Sequence, residues 1–500
     1  MDEPAEVDQD AVLRARTMLL GSGRLPLHQQ IEAYRVLSDV SPATYLPKLS
    51  RALHQQGYAA RLRDLPEARL ALRAEAVATA RRIDAGHPKR TELLLDTLDG
   101  YRRELYDVGR RAEGFAVCEE MAEAGRWGFE HGQVASPASG QLPLIVALAE
   151  EGRHGEAAEI CGRVVRAQSA GDADGVSFWF LMQWAAQLQA AGRHDEALGV
   201  FTDGVHDGRA RLEMDRIPLA ELTWRLAHQA GMLEAAGRHA EAVRAREEAL
   251  ALLAELAETG ERKTWSNIVS WWCTLFAWSG RSAEPAACSG APAPAFGTDV
   301  GHWSPDVQRT YFDDLPRLEK QVADLGRAAA ADQGGRLPDL VLLHRRLTIR
   351  ATLDRNRHAC GFHGPLRPLF DEQVALTRRL AGTGQDQVPL RQALTDRCLF
   401  LIAAQRYGEA YEDWVEAFAV PGWRVPVLWF SRCRRRTWAR RACPAEPFVS
   451  AGTAGCRPWR PAGSSGPAPR RPRGCRPGSR LRPPCGSGRR PTHGRRRRPG

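Results

Sequence analysis

Apolar residues along most of this chain recur at intervals of three and four. Phe178, Leu181, Trp184, Ala185 and Leu188 form one such stripe, and Ala197, Val200, Phe201 and Val205 form the next. That spacing gathers the apolar groups on one face of a helix, whereas a half-buried strand would alternate. Between the two stripes stands "AAGRHDEALGVF" (190–201), and nearly the same phrase occurs at "EEGRHGEAAEIC" (150–161) and "AAGRHAEAVRAR" (235–246). In each phrase a helix runs into a glycine able to take the left-handed closing conformation. The next helix then opens with an acidic residue suited to its positive end. The phrase predicts the elbow of an αα-hairpin.

The elbows form a ladder. Gly109, Gly152, Gly192, Gly237 and Gly280 are separated by 43, 40, 45 and 43 residues. A turn near Cys360 and the phrase "AAQRYGEAYEDW" (403–414) continue the ladder if one unit between Gly280 and Cys360 has degenerated. One hairpin cannot bury both of its apolar stripes, so successive hairpins must stack on one another. The fold expected is all-α, a solenoid of about seven to nine stacked hairpins.

The phrases resemble the tetratricopeptide repeat family, whose second helix carries an alanine followed four residues later by an aromatic. Ala197 and Phe201 match that pair, Ala410 and Trp414 are a bulkier version, and Ala157–Cys161 and Ala242–Arg246 keep the alanine. The period of 40–45 residues is similar to the long-helix variety found in kinesin light chains and in the sensor halves of many bacterial regulators. The resemblance covers roughly residues 90–420. It implies a superhelical solenoid whose first helices line a concave groove, and it implies no catalytic site. On the elbow register, Trp179, Met182, Trp224, Asn267, Thr274 and Trp278 would face that groove, whereas Trp184 and Trp272 belong to the packing stripe. Large aromatics there either anchor a partner or fill space between long helices, and both readings stand at this point. The recurrent Lys and Asn of chaperone-binding members are not seen in the first helices.

These patterns divide the chain into residues 1–90, helical and repeat-like with a weak elbow at "HQQGYAARL" (54–62), and residues 91–280, the clear repeats. Residues 281–304 are rich in Pro, Ala and Gly, and Pro285 stands where the alanine after an elbow is expected, so a loop or linker is predicted. Residues 305–425 return to helical repeats, starting from the Ser-Pro signal at 304–305. Residues 426–500 lose apolar periodicity and are expected to be disordered.

Charge sharpens that last boundary. The chain carries a formal +10, yet residues 431–500 hold 20 Arg, no Lys and one acid, Glu446, leaving 50 bases against 59 acids in residues 1–430. The body is acidic and the tail strongly basic. Runs such as "RRRR" (495–498), with Trp438 and Trp459, could bind nucleic acid through phosphates and stacking. The abrupt loss of acids is also what an out-of-frame stretch of GC-rich coding DNA would give, and the four lysines among 70 basic residues fit such DNA. On that hypothesis the native protein continues differently after about residue 420–430.

Candidate chemistry is sparse. There is no phosphate-binding P-loop, dinucleotide fingerprint, HExxH or G-x-S-x-G, so no enzyme and no cofactor is expected. The elbow histidines His154, His194 and His239 recur with the fold and are expected to pack between helices. His358, Cys360 and His363 offer three metal-capable groups but lack the fourth ligand a closed zinc site needs, so no metal is expected. The body cysteines Cys118, Cys161, Cys273, Cys288, Cys360 and Cys398 are widely spaced and read as buried apolar residues in a reducing compartment. The acidic start "MDEPAEVDQD" is unlike a secretory signal, and "NIVSWWCTLFAW" (267–278) falls short of the roughly 20 residues that span a bilayer. A cytoplasmic chain without membrane attachment is expected. Its expected role is a scaffold or adaptor holding a peptide or protein segment in the groove. The alternatives are a peptide-responsive regulator acting through a separate transcription factor, and nucleic-acid binding through the tail.

Overall fold

In the computed structural model, the described residues are 8–21, 25–171, 177–261, 263, 267–285, 290–331, 335–357, 363–384 and 387–420. The chain divides into two units, Met1–Ala445 and Glu446–Gly500. The second unit, and the whole basic segment from 426, lie outside the described residues.

Nineteen α-helices make up the described part of the first unit. They begin with α1 (Gln9–Leu20), α2 (Leu27–Val40), α3 (Pro42–Gln56), α4 (Pro66–Arg81), α5 (Arg90–Asp107) and α6 (Arg111–Glu130). The clear repeats follow as α7 (Gln141–Glu150), α8 (His154–Gly171), α9 (Phe178–Ala190), α10 (His194–Glu213), α11 (Leu219–Ala235), α12 (His239–Thr259) and α13 (Ile268–Ser279). After a non-helical stretch come α14 (Pro305–Asp313), α15 (Leu315–Ala331), α16 (Leu337–Arg357), α17 (His363–Gly382), α18 (Val388–Ala403) and α19 (Tyr407–Ala419). Consecutive helices pack on one another along most of the chain, as stacked hairpins require. No strand occurs among the described residues, and none of their helices is long and apolar enough to cross a membrane.

The elbows show how sequence sets these hairpins. Gly109, Gly152, Gly192 and Gly237 all have φ between 72° and 80°, and at each the space a Cβ would occupy is empty. The amide after each glycine reaches back to a leucine carbonyl at the helix end, as in Arg153 N to Leu148 O at 2.8 Å and Arg193 N to Leu188 O at 2.9 Å. These bonds satisfy carbonyls that the helix would otherwise leave open. Gln405 holds the same position before α19 at φ 58°. The arginine then pairs with a glutamate three residues on: Arg110–Glu113, Arg153–Glu156, Arg193–Glu196, Arg238–Glu241 and Arg406–Glu409. The alanines after the elbows are fully buried at Ala157, Ala197, Ala242 and Ala410, as close helix contact demands.

The ladder breaks at Gly280. Its φ is −89°, and the chain makes only a single 3-10 turn over Arg281–Ala283. Among the described residues no second helix of the hairpin follows before α14, and Pro285 would deny such a helix a backbone donor and clash with its preceding turn. In its place α16 and α18 pack against α13, and α19 packs against α12. Indole hydrogen bonds mark these long-range contacts, from Trp224 Nε1 to Leu399 O at 3.3 Å and from Trp414 Nε1 to Arg246 O at 3.4 Å. A single apolar core accordingly runs from Val146 of α7 to Phe418 of α19. The array therefore departs from nearest-neighbour stacking, in which each repeat would touch only the next.

Candidate functional site

Residues 290–304 carry no α-helix, yet Ala295, Phe296, Gly297, Thr298, Val300, Trp303 and Ser304 are buried. A loop or linker is the expectation here; the described residues form one without α-helix, packed as a strap on the helices. Its path is fixed by hydrogen bonds to α7 and α9. The Ala293 amide donates to the Glu150 carbonyl at 2.8 Å, and Gln183 Nε2 donates to Thr298 Oγ1 at 3.0 Å. Gly297 crosses α9 so closely that a Cβ on it would run into the Ala186 methyl, and its φ of 89° is unfavourable for any L side chain. Phe296 and Trp303 meet edge to face at 5.8 Å, and Trp303 meets Tyr311 of α14 at 5.5 Å.

The far end of the strap is held electrostatically. Glu150, at the end of α7, is fully buried and accepts from the Ser304 amide at 2.7 Å and from the Ser304 hydroxyl. Arg111 of α6 completes the set, reaching Glu150 at 2.9 Å and Asp306 of α14 at 2.8 Å. Burial pushes the Glu150 carboxyl above its ordinary range, while its bonds to Ser304 and the Arg111 charge oppose that shift. Arg309 adds an ion pair to Asp107 of α5 at 2.9 Å. Before the strap, Glu284 is bonded by Arg350 and by the Tyr311 hydroxyl at 2.7 Å, and it forms an ion pair with Arg346 at 2.9 Å. The far end of the strap is thus tied by a carboxylate removed from water, and a second such carboxylate fixes the chain at Glu284.

The residues expected to face an open groove are distributed unevenly. Met182 lies beneath the strap, its carbonyl 4.0 Å from where a Cβ on Gly297 would sit, and it is fully buried. Trp224 is buried against α18, and Trp278 is buried with its indole bonded to Gln189 at 2.7 Å and its ring 4.3 Å from His228. Thr274 is buried and donates to the Ser270 carbonyl within its own helix. These four side chains are buried, Met182 and Trp224 against later segments of the chain and Trp278 against earlier helices, so none faces open solvent as a groove residue would. Trp179 is half-buried, edge to face with Trp271 at 5.7 Å, and Asn267 is exposed at the start of α13.

The elbow histidines differ from one another. His154 is half-buried and bonds Gln187 at 2.9 Å, whereas His194 and His239 are exposed, with His239 beside Glu234 at 3.0 Å. Packing between helices describes the first and not the other two. Of the three metal-capable residues, His358 and Cys360 lie outside the described residues, and His363 stacks on Phe400 at 5.6 Å. No cluster of metal-capable side chains occurs among the described residues. Cys118, Cys161, Cys273 and Cys398 are buried free thiols whose ionisation burial pushes up; Cys288 and Cys360 are not among the described residues.

Sequence reasoning missed Glu150, Gln183, Glu284 and Ser304. The available signals were weak: an acid as the last residue of an apolar helix, and Phe296 and Trp303 inside a Pro/Gly-rich stretch that a free linker would not need. No family model matches the sequence, and no curated protein matches it.

Proposed function

We propose that this chain is an interaction scaffold that holds an extended peptide segment along the row formed by α7 and α9. The observation that supports this reading is the strap. Those helices receive a non-helical segment through a main-chain hydrogen bond at Ala293, an amide–hydroxyl bond at Thr298 and buried aromatic side chains at Phe296 and Trp303. Main-chain bonds plus pockets for spaced apolar side chains are how sheet edges recognise extended peptides, and the strap uses the same two elements on a helical surface. A partner segment would take the strap's place, with Phe296-like and Trp303-like aromatics as its anchors. The half-buried Trp179 of α9 and the exposed Asn267, which precedes α13, would border the entering segment.

The test uses a synthetic peptide of residues 290–304. It is added to the full chain and to a Ser304→Ala, Phe296→Ala variant whose own strap is weakened. Saturable binding to the variant, weaker by tenfold or more for wild type, supports the reading. No binding to a variant with wild-type helicity refutes it.

A further inference from the structure

Five arginines are buried among the described residues: Arg73, Arg102, Arg225, Arg246 and Arg350. Four of them face a carboxylate. Arg102 pairs with Asp99, Arg225 with Glu221, Arg246 with Glu234 at 2.7 Å and Arg350 with Glu284 at 2.7 Å. Arg73 of α4 is 2 % exposed and pairs with no carboxylate among the described residues. Its Nη1 bonds the His54 carbonyl at 2.8 Å and the His54 ring at 3.1 Å, its guanidinium lies 4.2 Å from the Tyr58 ring centre, and its Nε has no partner at all. Burial, reinforced by the Arg73 charge, pushes His54 down to about 4, so the imidazole is neutral and does not compensate that charge. A buried cation without a counterion is unfavourable unless something supplies the missing charge.

The place for it is already formed. Arg73 lines an open cavity of about 370 Å³ between the α3–α4 connection and α5, together with Arg63, Arg69, Arg103, Glu104 and Asp107. Arg69 is bound to Glu104 at 2.8 Å, and Arg103 to Asp99 at 3.1 Å. Arg63 is exposed and, like Arg73, has no carboxylate partner among the described residues. The lining therefore carries four arginines against two acids, with two positive charges left over. Gly57 and Gly100 make room for the guanidinium itself, since a Cβ at either would come within 2.6–2.9 Å of it. Pro305, the first residue of α14, borders the cavity.

We propose that this cavity is a binding site for a phosphate-bearing small molecule, with Arg73 as the buried anchor and Arg63 as the exposed second contact. Two uncompensated charges match a phosphate dianion; a monocarboxylate would leave one of them unmet. A guanidinium suits phosphate oxygens because its N–H groups form a fixed fork, and Arg73 lines the cavity with no carboxylate to occupy it. Tyr58 is 68 % exposed at the same opening and offers a face for the rest of the ligand.

The experiment measures thermal unfolding of the full chain at pH 7.5 against inorganic phosphate, succinate and acetate, each compared with sodium chloride at equal ionic strength. The expected result is a saturable rise in Tm with phosphate, lost in Arg73→Gln and reduced at least tenfold in apparent affinity in Arg63→Gln. Both variants keep every arginine of residues 431–500, so a response they retain does not come from the cavity. A phosphate response equal to that of chloride, or unchanged in a folded Arg73→Gln, overturns the proposal. If Arg73→Gln does not fold, an unchanged affinity in Arg63→Gln overturns it. A saturable response to succinate and none to phosphate overturns the phosphate assignment.

Discussion

Replacing Ser304 by alanine removes a single hydroxyl from the strap and nothing from the helices it lies on. The hydroxyl is 1 % exposed and donates to a carboxylate that is itself fully buried. Glu150 keeps the Ser304 amide at 2.7 Å and Arg111 at 2.9 Å, so its charge stays compensated in part. Losing one hydrogen bond to a buried charged group costs about 1.5–3 kcal/mol. Because the loss is felt only while the strap is docked, it appears as a rise in the undocked population of roughly 10- to 150-fold. Amide hydrogen exchange resolves this by position. The Ala293 and Thr298 amides, which bond the Glu150 and Ala295 carbonyls, should exchange faster by about that factor. Amides of α2 and α3, whose core around Ile31, Leu49 and Leu53 is separate, should not change. The affinity of the 290–304 peptide should rise by a similar factor, since the same docking equilibrium competes with it. Unchanged exchange at Ala293 would show that the Glu150–Ser304 contact does not hold the strap. Equal acceleration in α3 would show that the strap does not open by itself.

Other perturbations test the frame around it. Gly192→Ala meets no steric obstacle, so its cost is the left-handed backbone alone, about 1–2 kcal/mol in urea unfolding, while Gln405→Gly should gain about 0.5 kcal/mol by relieving the same conformation. Trp414→Ala should lower stability by about 3–5 kcal/mol, because the indole fills a site where α19 meets α12 and is 2 % exposed. Burial holds His54 and His228 down at about 4, below the ordinary 6.5, so the native state binds fewer protons than the unfolded chain between those values. Stability should then be complete above pH 6.5 and fall as the pH drops toward 4, by about 1–2 kcal/mol per ring after allowance for their half-buried positions. His228→Leu should flatten that slope in pH-dependent melting, and an unaltered slope would contradict the assignment.

The regular part of the fold was legible because it is local. A glycine free of neighbours, an alanine at a helix contact and an acid in a first turn each declare themselves within a dozen residues. The left-handed glycines at 109, 152, 192 and 237 accordingly lie where the repeated phrase puts them. Gly280 carries the same phrase and does not share the conformation, although Pro285 was visible in the sequence. What the sequence could not show is which surface covers which. Met182 and Trp224 have the same helical spacing whether they face water, a partner or the chain's own residues 290–304 and 388–403. Glu150 lies 154 residues before Ser304, and no periodicity connects them. Arg73 looks like one more arginine on an amphipathic helix until its neighbours are seen to lack a carboxylate.

The broken repeat and the strap have one physical origin. Every intact hairpin covers the apolar stripe of its first helix with its own second helix. Trp271, Trp272, Leu275, Phe276 and Trp278 make α13 the most apolar helix of the array, and Pro285 deprives it of that covering. Five large side chains cannot stay wet at a cost of about 1.5–3 kcal/mol each. The chain therefore brings α16 and α18 onto α13, with Phe370 of α17 and Phe400 of α18 against Trp272 at 5.9 and 5.6 Å. Reaching α16 from the end of α13 requires a connection, and residues 290–304 make it across α9 and α7, where Ala186 and Gln183 receive them. On the proposed function, a partner segment of the same kind would compete for the surface that receives the chain's own residues through a few hydrogen bonds and two aromatic anchors. Release of the strap is the step that would decide between them, and Ser304 is the residue through which to change its rate.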